Sequence, residues 1–396
     1  MDSLYKFPQL AGSDGTGLPL SGRGYHTEGD LVSVTADGID LNAMWDEFQM
    51  VMELHNARRA GLVGLLTYPV VNLIEQVPQV GESEFELASE FGVPQSHRVN
   101  PDYFTMGFGF EDYDIATRFT WKFLRDADAR QVEAIHQSVL NADNRLIFRK
   151  VMEAIFDNRT RETDIRNQPY KVYPLYNGDG VAPPSYKNKT FTGDHSHYLA
   201  SGAAQVDSGD LEDMYEHIAE HGYSFENGTT FIAMMNKAQI KEIRKFRQGQ
   251  TNNNGAVANY DFIPSANQPA LIVPNEEGLL GDRPPSVWMG MQVAGSYAGI
   301  LIIEESYIPE GYMFMFGTGG EGDLQNLVGL REHANPAYRG LRLLPGNQQA
   351  YPLVDSYYSR GFGTGIRQRA GGVVMQLTAE SDYTIPDQYK NGGGLG

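Results

Sequence analysis

Cysteine is absent from all 396 residues, so disulfides, thiolate metal centres and cysteine nucleophiles drop out together. Stability must come from packing and association. Positive charge is scarce: 31 Lys and Arg face 50 Asp and Glu, a formal charge of −19. That balance excludes a protein built to grip nucleic acid, because phosphate binding needs clustered Lys and Arg. It suits a protein that encloses nucleic acid without gripping it. Long apolar runs are missing as well. The longest, such as residues 299–303 and 313–316, fall far short of the roughly 20 residues of a membrane helix. The first thirty residues show no basic start followed by an apolar core, so no secretory signal is expected, and the Asn-x-Thr triplets at Asn158, Asn188 and Asn227 carry no glycosylation meaning.

What is present is a chain with 44 glycines and 11% aromatic residues, many turns and large amphipathic side chains, a mix that suits contact surfaces. At 41% hydrophobic it can bury one extended core or two moderate ones, and two lobes are the expectation. The glycine-rich first forty residues read as an extended arm. Residues 41–60 read as a helix with Asp40 as N-cap, Met44, Phe48, Val51 and Leu54 at helical spacing, and Gly61 as its end. Residues 67–118 carry strand-like ends, 68–74 and 104–110, around an acidic middle containing Glu82, Glu84, Glu86 and Glu90. Two long strands with an open tip pack poorly in an isolated subunit and call for a partner surface.

Residues 126–158 give the strongest helical pattern, with Val132, Ile135, Val139, Leu146, Val151 and Ile155 in one stripe that drifts near 141–144, where a kink is allowed. A helix capped by Ser208 or Asp210 is expected to run to Glu220. Beyond it, strands are expected over 229–235, 270–273, 288–293, 300–304, 312–316, 357–362 and 372–377, with helices over 238–246 and 323–332. Strands and helices alternate without a regular βαβ cadence, which indicates α+β.

Three constellations invite chemistry. Gly317-Thr-Gly319-Gly-Glu-Gly322 follows a strand and precedes the expected helix at 323, the local setting of a dinucleotide fingerprint. Asp323, however, sits where phosphates need a neutral or positive field, and too little chain follows for a cofactor domain. Gly361-Phe-Gly363-Thr-Gly365 lacks the Gly-Lys-Ser/Thr ending of a phosphate loop and reads as a strand-edge turn. His195 and His197 alternate as strand residues do, while His217 and His221 lie four apart on and just past a helix; with Asp194 or Glu220 a metal site is conceivable, although no His-Glu-x-x-His pattern is present. Arg145, Arg149, Lys150, Arg159, Arg161 and Arg166 form the main basic cluster, expected to pair with carboxylates. The acidic loop lacks the ladder of a calcium loop. No catalytic, cofactor-binding or metal residue is therefore assigned.

An arm, a long excursion, a spine-length helix, an α+β lobe and a return segment follow one another in this chain. Locally, Tyr358-Ser-Arg-Gly-Phe-Gly-Thr-Gly-Ile-Arg-Gln-Arg369 runs into Gly372-Val-Val-Met-Gln376, and Gly193-Asp-His-Ser-His-Tyr-Leu-Ala-Ser-Gly-Ala-Ala204 is followed by Asp207-Ser-Gly-Asp210. Order and segments together resemble the major capsid proteins of tailed bacteriophages, the Hong Kong ninety-seven type fold, in the form found in phages of actinobacteria. The resemblance implies an arm and short helix over 1–66, an extended loop over 67–118, a peripheral domain over 119–200 and 346–396 with the spine helix, and an axial domain over 201–345. It implies a non-enzymatic subunit that assembles into hexamers and pentamers of an icosahedral shell around double-stranded DNA, without cofactor or membrane, located in the virion and assembled in the host cytoplasm. A separate scaffolding protein, a portal protein, a decoration protein and weak non-specific contact with packaged DNA are the partners it implies. Some relatives weld their shells through a loop lysine; residues 67–118 contain Arg98 and Arg118 but no lysine, so no such weld is expected. An encapsulin-like compartment shell, and a soluble nucleotide- or metal-dependent enzyme, are the alternative readings.

Overall fold

The computed structural model describes residues 34–57, 61–79, 102–165, 167–187, 189–266, 284–289, 291–344 and 353–390. The arm before residue 34, the acidic loop middle with Glu82–Glu90 and the strand expected at 270–273 lie outside the described residues. Helices α1 (Leu41–Ala57) and α2 (Gly61–Leu66) lead into β1 (Thr67–Val70), β2 (Ile74–Gln79), β3 (Asp102–Gly107) and β4 (Glu111–Thr120). Then come α3 (Trp121–Asp126), α4 (Ala129–Phe156), β5 (Arg161–Ile165), β6 (Gln168–Val172) and β7 (Tyr198–Ala200). After α5 (Ser208–Ala219), β8 (Thr230–Met235) and α6 (Lys237–Ile243) come the strands β9 (Ile263–Pro264), β10 (Val287–Trp288), β11 (Met291–Tyr297), β12 (Ile300–Glu304), β13 (Tyr312–Thr318), β14 (Val328–Arg331), β15 (Arg342–Leu344), β16 (Leu353–Ile366) and β17 (Gly372–Gln376), with short 3-10 turns at Asn253–Gly255, Pro336–Tyr338 and Asp387–Tyr389. The fold is α+β, in two compact units.

The larger unit holds the described residues that fall within 61–111, 146–336 and 362–390. Its mixed sheet runs β10-β11-β12-β8-β13-β17-β7, with β8 parallel to β12 and antiparallel to β13. Phe231 to Met235 and Met313 to Phe316 are buried without interruption, as central strands covered on both faces must be. Alternation sorts the side chains. Phe231, Ala233, Met235, Met313 and Met315 join one core with Leu211, Met214 and Ile218 of α5 and Ile240 and Ile243 of α6. On the opposite face Phe314 meets Phe156 of α4, ring centroids 6.1 Å apart. Asp207 caps α5 by accepting from the Asp210 amide (3.1 Å), and Asp210 returns the bond by accepting from the Asp207 amide (2.9 Å). The cap expected at Ser208 or Asp210 therefore moves to Asp207, because a reciprocal box satisfies two amide donors where a lone cap satisfies one.

The smaller unit holds, of the described residues, 34–57, 112–145, 337–344 and 353–361. Asp40 caps α1, its carboxylate accepting from the Asn42 amide at 2.8 Å. The buried stripe of α1 is Leu41, Met44, Trp45, Phe48 and Met52, whereas Val51 and Leu54, expected in it, face outward. Gly61 does not end this helix but opens α2; a Cβ there would lie 2.0 Å from the Met289 carbonyl oxygen, so glycine is required by close approach. The helix expected from 126 begins at Ala129 instead, because the short α3 ends at Asp126 and α4 starts with Asp128 accepting from the Gln131 amide (3.1 Å) and Asp37 from the Ala129 amide (3.2 Å). From there α4 is helical through all 28 residues. Its residues up to Arg145 belong to one compact unit and those from Leu146 to the other.

His136 in α4 is buried, stacked on Phe48 at 4.1 Å and 5°, with Nδ1 3.0 Å from the Tyr358 hydroxyl. Burial, with a smaller contribution from His55, pushes its pKa down to about 4 from the ordinary 6.5. A depressed histidine value means the unfolded chain takes up the proton first, so this contribution is whole above pH 6.5 and is lost as pH falls from 6.5 toward 4. His136→Phe is expected to flatten that part of the melting-temperature profile relative to the parent protein, and parallel profiles would contradict this.

Candidate functional site

The glycine turn at 317–322 is not followed by a helix. Residues 328–331 are β14, parallel to β1 and antiparallel to β16. The reason is Asn326, fully buried, whose amide donates to the carbonyls of Gly64 (3.2 Å), Thr67 (3.0 Å) and Gly320 (2.9 Å) and whose Oδ1 accepts from the Thr318 hydroxyl (2.8 Å). Those bonds tie the turn to α2 and β1 and send Leu327 onward in an extended chain, so the dinucleotide setting does not exist. Gly361 to Gly365 are not a turn either; they lie within β16. A Cβ on Gly363 would come to 1.4 Å from the Gly109 carbonyl oxygen, and one on Gly365 to 2.9 Å from the Phe108 ring, so these glycines admit close approach of the chain returning from β3.

The histidines behave differently. His195 and His197 stand two apart before and at the threshold of β7, on one side of an extended chain, and His221 follows the end of α5. Their Nε2 atoms form a triangle with edges of 3.2 Å (195–197), 3.0 Å (195–221) and 3.1 Å (197–221). His197 is fully buried, with Nδ1 2.8 Å from the Gly372 carbonyl oxygen. His217 is not a corner: its ring stacks on His195 at 4.8 Å, and its Nε2 lies 2.9 Å from the Ser196 carbonyl oxygen. Phe191 stacks on His221 at 4.2 Å, and Tyr176 lies over His197 at 5.8 Å. Burial, then mutual repulsion, holds His195 at about 4, His221 at about 3 and His197 well below the ordinary value, so all three are neutral at pH 7. Asp194 hydrogen-bonds Thr192 and Glu220 pairs with Lys189, so neither expected carboxylate joins them. Spacing in the sequence pairs the histidines two by two; only the fold selects three of the four.

In the basic cluster, Lys150 pairs with Glu153 (3.1 Å) and Glu111 (3.7 Å), and Arg159 with Asp157 (2.9 Å), as expected of cations near carboxylates; Arg166 lies outside the described residues. Apolar surface is left open instead. On α1, Met50 and Leu54, four residues apart, are 60% and 59% exposed, with Val51 beside them. The paired strands β2 and β3, the base of the excursion, rest on the β5–β6 ribbon, where a Cβ on Gly107 would lie 2.7 Å from Tyr170 Cβ. Tyr103 on that pair is 56% exposed. No helix among the described residues is long and apolar enough to cross a membrane.

No protein-family model and no curated protein matches the chain. A solved structure from Mycobacterium phage Patience is 55% identical over 94% of this chain and 97% of that one, with a TM-score of 0.72. This chain belongs to the major capsid proteins of tailed phages. The mature capsid of bacteriophage PhiM1 (10% identity, 80% and 86% coverage, TM-score 0.47) and the SrpI encapsulin of Synechococcus elongatus (13%, 82% and 90%, 0.43) are more distant likenesses. As a capsid protein of the Hong Kong ninety-seven type, the subunit self-assembles into an icosahedral shell, its role is structural and its place is the virion. In the capsid protein Asn326, Gly363 and Gly365 serve packing. The histidine triangle is left without a packing explanation.

Proposed function

We propose that the subunit closes, as hexamers and pentamers, around double-stranded DNA in the host cytoplasm, with a separate scaffolding protein guiding assembly, a portal at one vertex and decoration proteins outside. Residues 1–66 act as arm and short helix and 67–118 as an extended loop over a neighbour. Residues 119–200 with 346–396 form the peripheral domain, and 201–345 the axial domain. The observation that carries this reading is the apolar surface left open on α1 and on the β2–β3 pair, which a neighbouring copy of the chain covers. The charge of −19 supports a wall that touches DNA weakly and does not trap it. With no lysine in residues 67–118, cohesion rests on burial repeated at every interface, without an isopeptide weld.

The test is Met50→Glu with Leu54→Glu. Both side chains are exposed in the subunit, so its circular dichroism and melting temperature are expected to stay as they are, while velocity sedimentation shows free subunits or capsomers in place of shells. Normal shells from this variant would reject the role given to α1. Parent particles filled with protein cargo and free of double-stranded DNA would reject the genome container.

A further inference from the structure

His195, His197 and His221 point one Nε2 each at a common centre, 3.0–3.2 Å from one another, and this convergence poses a bonding problem. A neutral ring has one N–H and one lone pair. The Gly372 carbonyl, 2.8 Å from His197 Nδ1, has only lone pairs to offer, so Nδ1 carries the hydrogen and Nε2 presents its lone pair to the triangle. At most two N–H groups, from His195 and His221, then face that centre, with the rings of Phe191 and Tyr176 packed beside it. An electrophile at the centre satisfies all three lone pairs at once. Dimensions agree with this. Metal–nitrogen bonds of roughly 2.0–2.1 Å at tetrahedral angles place ligand nitrogens about 3.3–3.4 Å apart. The observed edges of 3.0, 3.1 and 3.2 Å need an opening of a few tenths of an ångström. A ligating histidine ordinarily donates its second nitrogen to a carbonyl or carboxylate, which His197 does to Gly372.

From this geometry we infer that His195, His197 and His221 form a three-histidine site for a divalent transition metal, zinc by preference, held through their Nε2 atoms. An all-nitrogen donor set suits zinc, copper or nickel and does not suit calcium or magnesium, which take oxygen. The site joins the segment entering the edge strand β7 to the turn after α5, and through the His197–Gly372 bond it reaches the start of β17. In a chain without cysteine it is a cross-link of the kind disulfides supply elsewhere. His217 supports it from outside, holding the Ser196 carbonyl between two of the ligands.

The experiment uses assembled shells of the full chain, stripped with EDTA, dialysed and titrated with zinc, with bound metal counted by plasma mass spectrometry. Cobalt(II) serves as a second probe, through the intense visible absorption of its tetrahedral complexes. The expected result is one zinc per subunit, a tetrahedral cobalt spectrum and a rise in melting temperature on loading. His221→Ala, at a partly exposed corner, is expected to weaken zinc binding by at least about tenfold, the lower bound for loss even of an outer-shell partner. His333→Ala, on an exposed histidine elsewhere, is expected to change nothing. Folded parent shells that take up no stoichiometric zinc overturn the inference, and so does uptake equal in the parent and His221→Ala.

Discussion

Arg360→Met is expected to lower the unfolding free energy of the subunit by about 3–5 kcal/mol, the range for breaking a buried ion pair from one side. Asp143 and Arg360 are 5% and 7% exposed, with Nη1 2.7 Å from Oδ2, and His55 Nε2 reaches the same oxygen at 3.0 Å. Removing the guanidinium leaves a carboxylate inside a core of α1, α4 and the first half of β16 with only an imidazole to face it. The cost is that of an uncompensated buried charge, so it should shrink when the charge is removed as well. Arg360→Met with Asp143→Leu is expected to recover much of the loss, since apolar pairs of similar volume often match buried ion pairs. Urea unfolding of the unassembled subunit reads both. A single variant with an unchanged midpoint, or a double variant weaker than the single one, contradicts the account. The exposed bidentate pair of Arg118 with Asp355 (2.7 and 2.9 Å) has better geometry yet contributes little, because solvent and salt screen it.

Gly363→Ala should be more damaging than any exposed substitution. One added methyl would occupy the place of the Gly109 carbonyl oxygen, 1.4 Å away, and that oxygen belongs to backbone that cannot rotate aside as a side chain does. Ordinary overpacking costs roughly 1–3 kcal/mol where side chains can repack. Here β16 and the chain returning from β3 must separate, so the expected result is little or no soluble folded subunit. Gly109→Ala is the internal control: nothing lies within 4 Å of a Cβ at that position, and its melting temperature should stay close to that of the parent. Equal yields and melting temperatures for the two variants would show that the approach of these strands is not what glycine is there for.

Local chemistry was legible wherever it acts over a few residues. Asp40 as a cap, the buried runs of β8 and β13, β12 over its full length and the long stripe of α4 all follow from periodicity and capping, which neighbouring residues decide among themselves. The family, too, showed in two short segments. Long-range partners decided the rest. The stretch 323–332 reads as a helix until Asn326 reaches the carbonyls of Gly64 and Thr67, some 260 residues earlier, and holds it extended. Residues 361–365 read as a turn until Gly109 is known to lie against them. Val51 and Leu54 fit the apolar period of α1, but period alone cannot say which apolar residues the subunit buries and which it leaves exposed. Spacing pairs the four histidines as 195 with 197 and 217 with 221. The fold turns His217 to a carbonyl and brings His221 to the other two, because convergence of side chains from separate elements is a property of packing and is written in no local stretch of sequence.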